Sequence, residues 1–278
     1  MKFIHIADMH FDSPFVNLSD NGTANCYIVT EPGKYRFDAS VKGYGSESVG
    51  NVTSANVLWE TFGSSVNITS GNLINNVSYR DGYVTFSTPD NFKNGNALVA
   101  VKDASGNVLW SWHIWCVSDE IQEIEYARGA GIMMDRNIGA TRASANTYTS
   151  YGLLYQWGRK DPFLGSSNIS QPIEPQNTLE SFHEVPSSEG GTVSYSVTHP
   201  TTFILEESSS GDWLQQADNS LWSTVKTIYD PCPFGWKVPY GGDLNVWATA
   251  NDSPMIFNGT WSTSYGMNFK THFGTSVT

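Results

Sequence analysis

Hydrophobic and polar positions alternate in short runs through the first half of the chain, a pattern that predicts β-strands separated by turns. Asp81-Gly82 lies between two such runs and predicts a two-residue hairpin, because both turn positions require positive φ. Residues 102–107 predict a second, longer hairpin in the same way. Short strands at this spacing predict an immunoglobulin-like β-sandwich over residues 19–118.

Residues 108–116 form the strongest predicted strand. Because successive side chains of a strand point to opposite faces, its residues divide into two sets. Two tryptophans on one face fit either a carbohydrate platform or the sandwich core, and the core is the favoured interpretation. His113 lies on the other face, where we predict a packed, hydrogen-bonded histidine. The face assigned to the core carries Trp110, Trp112, Ile114 and Cys116.

The regular alternation is lost after the sandwich, and residues 119–278 predict an irregular α+β domain with long loops. Residues 132–134 predict a buried strand. Residues 150–157 predict a short helix with one apolar side. Residues 165–200 are rich in Ser, Thr, Gly and Pro and predict loop. The chain as a whole is therefore expected to be mainly β.

Composition narrows the class of protein. The 278 residues include 15 basic and 27 acidic side chains, a net charge of 15 − 27 = −12. At about 150 residues per domain this length predicts two domains. The acidic balance argues against a nucleic-acid partner, since phosphate binding requires clustered Lys and Arg. No apolar run is long enough to predict a membrane span.

Three cysteines are too few for a disulfide framework, and no CxxC motif occurs. Cys26 and Cys116 lie in strand-like segments at the two ends of the predicted sandwich, where a bridge is conceivable. Buried free thiols are the favoured alternative. Cys232 lies alone between two prolines, and no Gly-x-Ser-x-Gly elbow occurs. We therefore predict no catalytic residue and no cofactor.

Residues 1–18 form a separate segment without the features of a secretion signal. Its opening, MKFIHIADMHFDSPF, resembles the start of metallophosphoesterases of the DNA-repair exonuclease type. Asp8 and His10 match the Asp-x-His motif of that family, and a carboxylate beside an imidazole can ligate Mn or Zn. The family's Gly-Asn-His and Gly-His-x-His motifs do not occur. We therefore predict a foreign leader without a metal site.

Six strings in the remainder of the chain resemble one class of known proteins. They are residues 24–29, 95–101, 110–115, 133–140, 152–163 (GLLYQWGRKDPF) and 230–239 (DPCPFGWKVP). The class resembled is that of surface proteins of gut Bacteroidetes that join an immunoglobulin-like or fimbrillin-associated module to a major paralogous domain (FISUMP). The resemblance implies a C-type-lectin-like fold for residues 119–278, whose loops bind ligands, and location at the cell surface.

Two departures from the family pattern modify this expectation. Family members normally carry a lipoprotein or secretion signal, which this sequence does not show. They also continue beyond residues 266–269 with strands that close the lectin-like sheet. We therefore expect an incomplete carboxy-terminal module that exposes a sheet edge or an apolar patch, with marginal stability or self-association as the result.

The candidate ligand contacts are aromatic residues and the few cations beside them. Arg159 and Lys160 follow Trp157, and an arginine can stack on a tryptophan while its fork binds a carboxylate. The residues predicted to contact a ligand are Trp157, Arg159, Lys160, Trp247, Trp261 and Tyr265.

The favoured alternative for these cations is an internal ion pair that locks a loop. One candidate pair joins Arg159 to Asp161, and another joins Arg136 to Asp230.

The leading hypothesis is a non-enzymatic cell-surface adhesion or recognition protein that binds an extracellular glycan or protein through loops of the lectin-like domain. One alternative is a fragment of a metal-dependent phosphoesterase that uses Asp8 and His10. Another is a structural component of a pilus or a phage receptor-binding assembly.

Overall fold

The computed structural model describes residues 14–144, 147–164, 175–179, 182–207, 211–239 and 245–251, and the backbone of two further short strands, Phe269–Lys270 and Ser276–Val277. The chain is mainly β, and none of the described helices is longer than six residues. No helix in this part of the chain is long and apolar enough to cross a bilayer.

The strands in chain order are β1 (Val16–Asn17), β2 (Cys26–Val29), β3 (Lys34–Asp38), β4 (Ser54–Thr61), β5 (Asn75–Arg80), β6 (Tyr83–Ser87), β7 (Gly95–Lys102), β8 (Val108–Cys116), β9 (Glu123–Tyr126), β10 (Gly131–Met134), β11 (His183–Pro186), β12 (Thr202–Leu205), β13 (Phe269–Lys270) and β14 (Ser276–Val277). The helices are α1 (Ser187–Gly190), α2 (Val193–Thr198) and α3 (Val246–Asn251), with 3₁₀ turns at Ala127–Gly129 and Tyr148–Ser150.

Two four-stranded sheets, ordered β1-β3-β6-β5 and β2-β8-β7-β4, face each other across an apolar core. Phe37 of the first sheet lies 5.2 Å from Trp112 of the second, measured between ring centroids. The predicted core face of β8 is confirmed, because Trp110, Ile114 and Cys116 also lie in this core. The first sheet begins with β1, which lies within the predicted leader segment (residues 1–18). This strand pairs parallel with β3 of the sandwich.

Both predicted hairpins form. Asp81 and Gly82 join β5 to β6 and have φ values of 51° and 85°. That region favours glycine and tolerates aspartate, which explains why this dipeptide is a strong hairpin signal. The longer hairpin joins β7 to β8 through residues 103–107, with Gly106 at a φ of 85°.

The central strands of the second sheet, β7 and β8, are largely buried on both faces, because residues after 118 pack against the face turned away from the sandwich core. On that face, Trp115 Nε1 donates to the Ala140 carbonyl at 3.1 Å. Asn96 Nδ2 donates to the Gly139 carbonyl at 2.9 Å. The division into domains at residue 118 stays a prediction, and the two segments that it separates are in direct contact.

The second half contains a β9–β10 hairpin and a parallel β11–β12 pair with α1 and α2 between them. Residues 132–134 form a strand as predicted, but the prediction that it is buried is wrong, since Ile132 is exposed. The helix predicted at 150–157 is also wrong. A single 3₁₀ turn ends at Ser150, and Gly152 then has a φ of 76°, which helical backbone does not allow.

The prediction of loop throughout residues 165–200 is wrong for 183–190 and 193–198, where β11, α1 and α2 form. Thr192 caps α2 by accepting a hydrogen bond from the Tyr195 N–H. Helices this short depend on tertiary packing more than on intrinsic propensity, so the composition does not reveal them.

All three cysteines are free and buried, which agrees with the favoured interpretation. Cys26 lies opposite His113 in the β2–β8 pair, three positions from Cys116 along β8. The two side chains also enter different cores on opposite faces of the sheet. A disulfide requires Cα atoms within about 7 Å and Cβ atoms that point toward each other, and this register provides neither.

Candidate functional site

The sequence-predicted ligand contacts around Trp157 lie in one closed loop, residues 154–163, which we call the Trp157 loop. A pair of backbone hydrogen bonds between Leu154 and Phe163, of 3.1 and 2.8 Å, closes its base. Gly158 turns the chain at the tip with a φ of 83°. A Cβ atom there would lie 2.8 Å from Leu221 Cδ1, so both the conformation and the space require glycine.

Trp157 is the exposed aromatic residue of this loop, with 45% of its surface accessible. Its ring meets Trp222 edge to face, with centroids 5.0 Å apart and planes at 64°. Its carbonyl accepts a hydrogen bond from Trp213 Nε1 at 2.6 Å. Trp222 thus packs against the indole and Trp213 holds the backbone of Trp157, while much of the side chain faces solvent. We call the surface formed by Trp157 and Trp222 the aromatic surface.

Arg159 points inward and is 2% exposed. Its Nη1 donates to Gln156 Oε1 at 2.7 Å and to the Thr202 carbonyl at 2.8 Å, and its Nη2 donates to the His199 carbonyl at 3.2 Å. The guanidinium also lies 4.9 Å from the Phe163 ring centroid. Burial lowers the pKa of Arg159 to about 10, so it remains charged at neutral pH.

Lys160 also points inward and forms a charge cluster with Asp161 and Ser111. Its Nζ donates to Asp161 Oδ1 at 2.7 Å, to Asp161 Oδ2 at 2.9 Å and to the Ser111 carbonyl at 3.2 Å. The Ser111 hydroxyl donates to Asp161 Oδ1 at 2.6 Å. Because Ser111 belongs to β8, this cluster attaches the Trp157 loop to the sandwich. Burial lowers the pKa of Lys160, and Asp161 opposes that change.

The loop that carries Trp222 is organised by a third cation, Lys226, whose side chain is 9% exposed. Lys226 Nζ donates to Asp230 Oδ1 at 2.9 Å and to the carbonyls of Cys232 and Trp236 at 2.9 and 2.6 Å. Asp230 in turn accepts from the Cys232 N–H at 2.8 Å. Neither Trp222 nor Lys226 was predicted from the sequence to help form the aromatic surface. The only sequence signal nearby is the resemblance of residues 230–239.

The predicted ligand residues therefore separate into three groups. Trp157 is exposed as a contact residue must be, whereas Arg159 and Lys160 are buried and hold the loop. Trp247 lies in α3, and nothing is described of its side chain. Outside the described residues lie Trp261, Tyr265 and the alternative metal ligands Asp8 and His10.

The structure contains internal ion pairs, as the favoured alternative predicted, but the predicted partners are wrong. Asp161 pairs with Lys160 rather than with Arg159. Asp230 pairs with Lys226 rather than with Arg136. Arg136 pairs with its neighbour Asp135, with Nε 2.7 Å from Oδ1.

Within the described ranges, no group of three or more His, Cys, Asp or Glu side chains is arranged to hold a metal ion. His113 is buried on the outer face of β8 and hydrogen-bonded through Nε2 to Asn96 Oδ1 at 2.8 Å, as a packed histidine was predicted to be. Burial lowers the pKa of His113 to about 3. It is therefore neutral near pH 7.

Comparisons with protein-family models, curated proteins and solved structures found no match to this chain.

Proposed function

We propose that this chain is a non-enzymatic cell-surface recognition protein that binds an extracellular glycan or protein through the aromatic surface. The observation that carries the proposal is the exposure of Trp157. Its large ring has 45% of its surface accessible, whereas the charged residues of the same loop are buried. Exposed aromatic residues on rigid scaffolds are favoured at binding sites because they offer contact area at a low cost in rotamer entropy.

The rigidity of the loop supports this role. Arg159 and Lys160 fix its inner side through hydrogen bonds to α2, β12 and β8. Trp213 fixes the Trp157 carbonyl. Little conformational freedom is lost when such a loop meets a ligand, and binding is correspondingly stronger.

The proposal assigns no catalytic residue. The charged side chains of the Trp157 loop, Arg159, Lys160 and Asp161, are all committed to internal hydrogen bonds. A general acid, base or nucleophile must reach the reacting atom at hydrogen-bond distance, and these groups do not reach the surface.

The expected contribution of Trp157 follows from its exposed area. A tryptophan presents on the order of 200 Å², so covering the exposed 45% removes roughly 90 Å² from water. At about 25 cal/mol per Å² this amounts to about 2 kcal/mol, or roughly a 30-fold change in Kd.

A glycan array, together with a binding screen against host surface proteins, would identify a ligand for the purified chain. Trp157→Ala should then weaken binding of that ligand roughly 30-fold. Phe15→Ala is the matched control, because Phe15 is 42% exposed and lies just before β1, outside the loops that form the aromatic surface. Equal affinity of the wild type and Trp157→Ala, with both variants melting like the wild type, would reject the aromatic surface as the binding site.

A further inference from the structure

A second feature, separate from the aromatic surface, is an open polar groove of about 470 Å³. It lies between the segment that follows β8 and the segment that follows β10. No residue of the Trp157 loop lines it. The polar residues that line it are Asn94, Ser118, Asp119, Arg136, Arg142 and Ser144.

Asn94 braces the two walls of the groove. Its Oδ1 accepts from the Ser118 N–H at 2.9 Å, and its Nδ2 donates to the Thr141 carbonyl at 3.3 Å. Arg136 adds a third connection, because its Nη2 donates to the Glu120 carbonyl at 3.2 Å. The walls are thus set by hydrogen bonds that form without a ligand, as in a preorganised site.

Arg136 lines this groove, and its guanidinium has one donor without a partner among the described residues. Its side chain is 3% exposed. The Nε and Nη2 edge binds Asp135 at 2.7 and 3.0 Å. Nη1, at the other corner of the guanidinium, is buried and has no hydrogen-bond partner among the described residues. A buried donor without an acceptor is costly, so an acceptor that reaches Nη1 would be bound favourably.

Arg142 adds a second guanidinium on the exposed wall. It takes part in none of the ion pairs formed among the described residues. Two of the 15 basic residues in this acidic chain thus line one groove. Planar guanidinium forks match carboxylates through paired hydrogen bonds.

The other lining groups restrict the kind of anion. Asp119 and the hydroxyls of Ser118 and Ser144 offer hydrogen-bond acceptors beside the cations. Asp119 repels a phosphate dianion more strongly than a singly charged carboxylate. Hydroxyl donors on the same molecule can in addition be accepted by Asp119 and the serine hydroxyls. Acidic sugars combine these groups in one molecule.

We propose that this groove, the Arg142 groove, binds the carboxylate of an acidic sugar such as a sialic or uronic acid. The carboxylate lies against the guanidinium of Arg142 and accepts from Arg136 Nη1. Hydroxyls of the sugar donate to Asp119. The proposal does not rest on the aromatic surface, because the two sites share no residue.

Isothermal titration calorimetry with sialyllactose and with a glucuronic acid disaccharide tests the proposal, with lactose as the uncharged counterpart. We expect at least one acidic sugar to bind about tenfold more tightly than lactose, and Arg142→Gln to remove that advantage. Affinity should also fall as salt is raised. Arg80→Gln is the control, since it removes the same charge from the exposed β5–β6 hairpin.

Arg136→Lys keeps the charge but removes Nη1, and should weaken acidic-sugar binding while Arg80→Gln leaves it unchanged. Binding of neither acidic sugar at millimolar concentration would overturn the proposal. So would equal binding of lactose, or an unchanged affinity in Arg142→Gln. Preferential binding of a glutamate-rich peptide would reject the sugar and indicate a protein partner instead.

Discussion

Replacing Lys160 by methionine should strongly destabilise the protein, because it leaves the Asp161 carboxylate buried without its cation. The side chains of the pair are only 2% and 3% exposed. Asp161 would keep only the hydrogen bond from the Ser111 hydroxyl among its described contacts. Removing one partner of a buried ion pair costs about 3–5 kcal/mol. For a chain of this size that lowers Tm on the order of 10 °C.

The matched control is Arg80→Met, which likewise removes the cation of an ion pair between adjacent residues, Arg80 and Asp81. Arg80 and Asp81 are both 85% exposed, so no measurable loss is expected. The double variant Lys160→Met with Asp161→Leu removes both charges and should recover much of the lost stability.

Urea unfolding followed by tryptophan fluorescence measures the free energy of unfolding of the wild type, the two single variants and the double variant. A loss below about 1 kcal/mol in Lys160→Met would refute the argument that this pair is desolvated. A double variant less stable than the single one would refute the stated origin of the loss.

Two further predictions concern buried polar groups. As pH falls from about 6.5 to about 3, the unfolded chain protonates His113 before the folded chain does. The free energy of unfolding should then decrease by about 1.4 kcal/mol for each pH unit of acidification in this range. In His113→Gln, urea unfolding should show a smaller decrease, because the part that comes from His113 is absent. The buried carboxylate of Glu60 accepts from the N–H groups of Gly71, Leu73 and Ile74 at 2.6, 3.0 and 2.8 Å. Glu60→Gln should cost about 2–3 kcal/mol in the same assay, because an amide has one acceptor oxygen and brings donors against these N–H groups; an unchanged midpoint in urea would contradict this.

The two hairpins and the core face of β8 could be predicted from the sequence because they depend on local features. Positive φ at Asp81 and Gly82 is a property of those two residues, and period-two alternation fixes which side chains of β8 share a face. The partners of the buried cations could not be predicted in the same way. Lys160 and Arg159 are adjacent, and only the packing of α2 and β8 around the loop decides which of them meets Asp161.

A signal for contact between the two halves was present in the sequence, and it lies in β7. Residues 97–101, ALVAV, do not alternate between apolar and polar, and such runs are typical of strands buried on both faces. All five are buried. A sandwich that stood alone would leave one face of this strand in water, so the run predicts a cover on that face.

The polar residues on the covered face make the contacts specific. Ser111 bonds to Lys160, and Asn96 bonds to Gly139. A buried polar group costs stability unless it is paired, so these side chains favour one arrangement of the second half over others. The Trp157 loop and the Gly139 segment next to the Arg142 groove are therefore both positioned by the same sheet. The proposed function therefore assigns the sandwich a part in recognition, because the sandwich fixes loops that the resemblance assigned to the lectin-like domain alone.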